Sequence, residues 1–177
     1  MKHASNLELR TAFYSTWARG VLSPAKIASF TAICGPFSEL LTRLKCMDSA
    51  QLSSSVVRRI ALPLCYDLSG IVAASKSYFV ADKAFVIVFQ WLHEHLDTFE
   101  NILNVWYNDA EGSVAVLNLY QALVTHTAKP FASGKPDSLI LFQSICRGLT
   151  VYCKNLLNDD SAVSEMYSER CIAILFL

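Results

Sequence analysis

The stretch Phe99-Glu100-Asn101-Ile102-Leu103-Asn104-Val105-Trp106-Tyr107 puts apolar side chains at 99, 102, 103, 106 and 107. Spacings of three and four follow the period of an α-helix and leave Glu100, Asn101 and Asn104 to the opposite face. The same period recurs on both sides. Downstream, Phe142, Ile145, Cys146, Leu149, Tyr152, Cys153 and Leu156 keep one face through four turns. Upstream lie Phe30, Ile33, Phe37, Leu40, Leu41 and Leu44, then Val57, Ile60, Ala61, Leu64, Leu68 and Ile71. Near the start, Leu9, Phe13 and Trp17 are spaced four apart and predict a fifth apolar face. Phe85 to Phe89 and Val114 to Val116 have strand-like composition. Neither has a turn and a matching second strand nearby, so both are expected to be helical. The chain reads as all-α.

Boundaries follow from local chemistry. Ser23 before Pro24 suits a helix start, since a proline in the first turn lacks an N–H that would be unpaired anyway. Ser53, Asp82, Thr98, Ser113, Asp137 and Asp160 are further candidate caps. Short polar breaks fall at 47–49, 108–112 and 158–160, and a longer one from Thr127 to Pro136 carries Pro130 and Gly134. About eight helices result, near 6–19, 24–46, 53–75, 80–96, 98–107, 113–126, 138–156 and 161–177. Pro36 and Pro63 should bend or break two of them. Long helices joined by short turns fit a closed bundle or an open solenoid. We take 1–177 as a single helical-repeat segment of HEAT or armadillo type, with approximate helix pairs over 24–75, 80–126 and 138–177. Long helices start near 26, 80 and 138, a spacing of roughly 55 residues against the usual ~40–47 for such repeats. The final Cys171-Ile172-Ala173-Ile174-Leu175-Phe176-Leu177 is apolar and lacks a polar outer face, so an internal piece of a longer superhelix is expected.

Composition narrows the function classes. Hydrophobic residues make up 53% of the 177 and charged ones 17%, with mean hydropathy +0.34, enough for a large buried core. A membrane span needs roughly 20 apolar residues; the best run, Ala84 to Trp91, is short and bounded by Asp82-Lys83 and His93-Glu94. The polar start Met1-Lys2-His3-Ala4-Ser5-Asn6 leads into no signal core. These features read as a soluble intracellular chain without membrane insertion. Fifteen basic and fifteen acidic residues balance, and the densest basic spot, Arg58-Arg59, stands alone, which disfavours nucleic acid as partner. The six cysteines form no Cys-x-x-Cys pair and read as buried free thiols rather than disulfides or zinc ligands.

Reactive constellations are sparse. His93-Glu94-His95-Leu96-Asp97 invites a metal, but helical zinc sites need two histidines four apart. His93 and His95 would stand about 200° apart around a helix. A two-ligand site from His93 and Asp97 falls short of the three or four ligands zinc takes, and a polar helix end is the preferred reading. The six glycines make no phosphate-binding loop. Ser23-Pro24-Ala25-Lys26 matches Ser-x-x-Lys without its partner motifs, and Ser113 lacks a nucleophile elbow. Asp67, Asp97, Asp109, Glu111, Asp159 and Asp160 are explained as caps and solvated turns. Trp91, Trp106 and Tyr107 could build a binding hot spot, but the spacing around Trp106 assigns them to the core. No catalytic, cofactor or metal site is assigned, and an enzyme is not expected.

Several pieces together carry a family resemblance. They are Trp91-Leu92, Phe99 to Asp109 with its turn Trp106-Tyr107-Asn108-Asp109, and Val116 to Val124. Arg10 to Tyr14, Tyr66 to Ile71 and Pro136 to Phe142 line up in the same order. The chain resembles the exportin-7 and Ran-binding protein 17 group of the importin-β superfamily, with the exportin-4 group as near alternative, over nearly its whole length. Where that group carries arginines beside the Asp-Leu pair, this chain has Tyr66 and Ser69; around the Leu-Phe motif it has Ser138 and Gln143. The resemblance implies a segment of a nuclear export receptor shuttling between nucleus and cytoplasm. It implies a helical scaffold for protein cargo, for the small GTPase Ran in its GTP form and for nuclear pore proteins, with no cofactor. A helical-repeat interaction adaptor unrelated to transport is the alternative.

Overall fold

The computed structural model describes residues 2–77, 83–125 and 136–158. Nine α-helices occupy these residues: α1 (Lys2–Val21), α2 (Phe30–Ile33), α3 (Gly35–Lys45), α4 (Ser49–Leu52), α5 (Ser55–Ala74), α6 (Ala84–His93), α7 (Leu96–Val105), α8 (Ala110–Val124) and α9 (Pro136–Asn158). Among the described residues there is no strand. The strand-like runs at 85–89 and 114–116 lie in α6 and α8, where helical neighbours cover their apolar side chains.

Several boundaries differ from those expected, each for a local reason. The single helix over 24–46 is interrupted twice. The Ser23 hydroxyl donates to the Gly20 carbonyl at 2.8 Å, closing α1 instead of opening a helix at Pro24. A short 3-10 turn, Ile27–Ser29, leads into α2, and Pro36 then stands in the first turn of α3, with no N–H to continue the helix before it. Pro63, by contrast, does not interrupt α5. Ser53 ends α4, and Ser54 caps α5, accepting from the Val57 N–H at 3.3 Å. Asp48 opens α4 with a reciprocal capping box to Gln51 at 2.8 and 3.0 Å. Thr98 caps nothing: α7 starts at Leu96 with His95 at the cap position. Nor does Ser113. Asp109, in extended conformation, accepts from the Gly112 N–H at 3.2 Å and starts α8 three residues earlier. The expected caps Asp82 and Asp160, most of the 127–136 loop, Cys171 and the helix over 161–177 lie outside the described residues.

Packing between elements falls into two series. In one, α1 lies on α5 and α5 on α8; in the other, α3 and α4 lie on α7 and α7 on α9. Contacts of α4 and α6 with α5, and of α7 with α8, join the series. The core runs between them, with Leu68, Ile71, Leu92, Leu96, Phe99 and Tyr120 among its fully buried members. Close approach is possible at α1–α5 because Gly70 faces the Thr11 backbone, and the Thr11 hydroxyl donates to the Tyr66 carbonyl at 3.1 Å.

Trp91 and Trp106 are buried, as expected, and Tyr107 packs half-buried against the core. Trp106 Nε1 donates to the Leu52 carbonyl at 2.9 Å and ties α7 to the end of α4. One expected face is rotated. On α1 it is Leu7, Ala18 and Val21 that are buried, while Leu9 and Phe13 are 66% and 62% exposed. Cys34 and Cys65 are buried free thiols, and burial pushes each up to about 12. Cys46 is exposed, contrary to expectation, at the end of α3. No helix among the described residues is long and apolar enough to cross a membrane.

Candidate functional site

Spacings of four place Arg59, Pro63 and Asp67 along one side of α5, with Ile60 and Leu64 beside them. Opposite, α1 presents Arg10 and Tyr14, also four apart, and α3 presents Pro36, Phe37 and Leu40. These three helices enclose a surface groove of about 410 Å³. Its polar floor is an ion pair across the α1–α5 crossing. Arg10 Nε donates to Asp67 Oδ1 at 2.9 Å and Nη2 to Oδ2 at 2.5 Å. The Asp67 side chain is only 4% exposed, whereas that of Arg10 is 45% exposed. Burial pushes the Asp67 carboxyl above its ordinary range, and the Arg10 guanidinium offsets only part of that rise. The hydrogen bond to Asp67 in turn raises Arg10.

Aromatic contacts stiffen the α1–α3 wall. Tyr14 meets Phe37 edge-on at 5.5 Å between ring centroids and Trp17 at 5.9 Å, and Arg10 lies 5.9 Å from the Tyr14 ring centre. Phe37 continues the chain inward to Trp91, whose Nε1 donates to Ser38 Oγ at 2.7 Å.

The residues singled out in the sequence are distributed otherwise. His93 ends α6 and its Nδ1 donates to the Gln90 carbonyl at 2.6 Å. Glu94 and His95 form the turn into α7, and Asp97 pairs with Lys45 at 2.8 Å. His93 and Asp97 are thus engaged separately. Among the described residues, no three His, Cys, Asp or Glu side chains converge as a metal site would require. Asp67 is no solvated turn but a buried mid-helix carboxylate. Arg58 and Arg59 part company: Arg58 binds Asp109, and also Glu111 at 2.8 Å, while Arg59 borders the groove. Ser113 donates its hydroxyl to the Asp109 carbonyl at 2.8 Å inside the first turn of α8.

The groove itself was not legible as a site. Phe37, Leu40, Ile60 and Leu64 read as core positions, and Arg10 and Asp67 are 57 residues apart. The available signal was the run of fours through 59, 63 and 67, which mixes a cation, a proline and an acid on one stripe. A second cation outside the groove is explained structurally. Lys76 Nζ donates to the Ala122 carbonyl near the end of α8 and lies 5.0 Å from the Phe85 ring centre; burial lowers it to about 8.

Comparison with protein-family models, curated proteins and solved structures yields no match.

Proposed function

We propose that the chain is a segment of a HEAT-type helical solenoid from a nuclear export receptor, a scaffold for protein cargo and for Ran in its GTP form. The observation that carries this reading is the pair of packing series, α1–α5–α8 and α3–α7–α9. Helices that alternate between two such layers, each touching the next in its own layer, are what stacked helix pairs produce. The collinear sequence resemblance supplies the transport role. Within this reading the chain has no catalytic duty; GTP chemistry belongs to Ran, and the segment moves between nucleus and cytoplasm with the receptor.

An interaction adaptor outside transport is the second reading, favoured by Tyr66 and Ser69 standing where the resembled group carries arginines. A pull-down of the full-length gene product with Ran locked in its GTP or GDP form separates the two. Preferential recovery with the GTP form is expected. Equal recovery with both forms, or none, removes the export role and leaves the adaptor.

A further inference from the structure

We infer that the groove between α1, α3 and α5 holds a short peptide segment bearing a carboxylate next to an apolar side chain. This rests on reading the chain as a binding scaffold but not on a role in transport. Three features specify such an occupant. The groove's volume, about 410 Å³, lies within the range of ligand pockets, roughly 300–1,000 Å³. Its walls are Tyr14, Phe37 and Leu40 on one side and Ile60 and Leu64 on the other, and Ile60 is 45% exposed. An inserted apolar side chain would therefore remove apolar surface on both partners from water.

The second feature is charge. Asp67 is the sole acid lining the groove, and Arg10 already holds both of its oxygens. Arg10 is engaged through Nε and Nη2 and is nearly half exposed, so the Nη1 edge of its fork is left for another acceptor. Arg59 pairs with no carboxylate among the described residues. Two guanidiniums against one neutralised acid leave the lining positive by one charge. A carboxylate complements it, and a lysine or arginine of a partner is repelled. The third feature favours a peptide over another anion. Pro63 has no N–H to offer the Arg59 carbonyl one turn earlier, so the α5 wall carries a backbone acceptor without its usual helical donor. A peptide N–H is the natural donor to it.

The test is an NMR titration of the ¹⁵N-labelled chain with the blocked peptide Glu-Leu-Asp-Phe-Glu. One control peptide has Leu and Phe replaced by Gly, and another has its acids replaced by Lys. Saturable shifts centred on Tyr14, Phe37 and Ile60 are expected. Affinity should fall about tenfold in Arg59→Glu, and severalfold in Ile60→Ser. Both substitutions are at exposed positions, and circular dichroism confirms that they leave the fold intact. Arg10 is left unaltered because its removal would strand Asp67 in the core. The inference is overturned if no saturable shift reaches the groove by about 1 mM peptide. It is equally overturned if the lysine or glycine peptide binds as well as the probe, the latter marking a general anion site, or if Arg59→Glu binds unchanged. Failure here with GTP-selective recovery of Ran intact sinks only the groove; the converse result sinks only the transport reading.

Discussion

A Cβ added to Gly70 would stand 2.4 Å from the Thr11 carbonyl oxygen and 3.0 Å from the Ser15 nitrogen. Both obstacles are backbone atoms of α1, which cannot rotate aside as a side chain would. Gly70→Ala should therefore force α1 away from α5, despite the better helix propensity of alanine. Overpacking of a close core typically costs 1–3 kcal/mol, and the upper end, about 3 kcal/mol, is expected here. Urea denaturation should show a lower midpoint with an unchanged slope. A loss below about 0.5 kcal/mol would mean that the two helices do not cross this closely. The neighbouring ion pair has the same lesson at residue scale. Glycine and aspartate inside a helical stripe are visible in the sequence, but the reason for each is a residue on another helix.

For the elements, the start of α8 shows how a boundary couples to charge. Asp109 accepts from the Gly112 N–H and also holds Arg58 of α5, with Arg58 Nη2 at 3.1 Å from Oδ1. Burial pushes the Asp109 carboxyl up, but the Arg58 bond and the backbone donors outweigh it, and the group ends below its ordinary 3.8. A depressed carboxyl stabilises the fold above the unfolded value and loses that contribution as pH falls through the folded value. Asp109→Asn preserves a competent cap but not the charge. It should destabilise by about 1 kcal/mol near neutral pH, the usual worth of a partly exposed pair. The difference from the parent chain should shrink as pH falls below the ordinary carboxylate value and through the lowered folded one. Guanidinium titrations of both chains at neutral and acid pH check this, and a pH-independent difference would sink the account. The sequence reading set this boundary at Ser113 because a serine after glycine before an apolar run is a plausible cap. Asp109 was lost among loop residues, since its partner Arg58 is 51 positions away.

In the whole molecule, the flank of α1 remote from α5 exposes Leu9 and Phe13, four residues apart and therefore on one stripe. Together they make a small apolar edge beside the first packing series. Self-association through this edge is expected at high protein concentration. Phe13→Ser should lower the concentration dependence of the mass seen by light scattering, while changing stability by no more than about 0.5 kcal/mol. An unaltered scattering profile would show that the edge is inert.

Helical class, the covered status of Trp91 and Trp106, and the helicity of the strand-like segments were all written in the sequence. Each depends on the local apolar period, and a period is a property of one segment. The rotation of a helix about its axis is not. On α1 the stripes through Leu9 and Leu7 are both apolar, and only α5 decides that Leu7 turns inward. The break before α3, by contrast, is legible in Pro36, although the apolar face from Phe30 to Leu44 continues across it with its period intact. The groove depended most on tertiary structure. Its lining comes from α1, α3 and α5, its central ion pair spans 57 residues, and its apolar walls look like core until the packing leaves one side open to water.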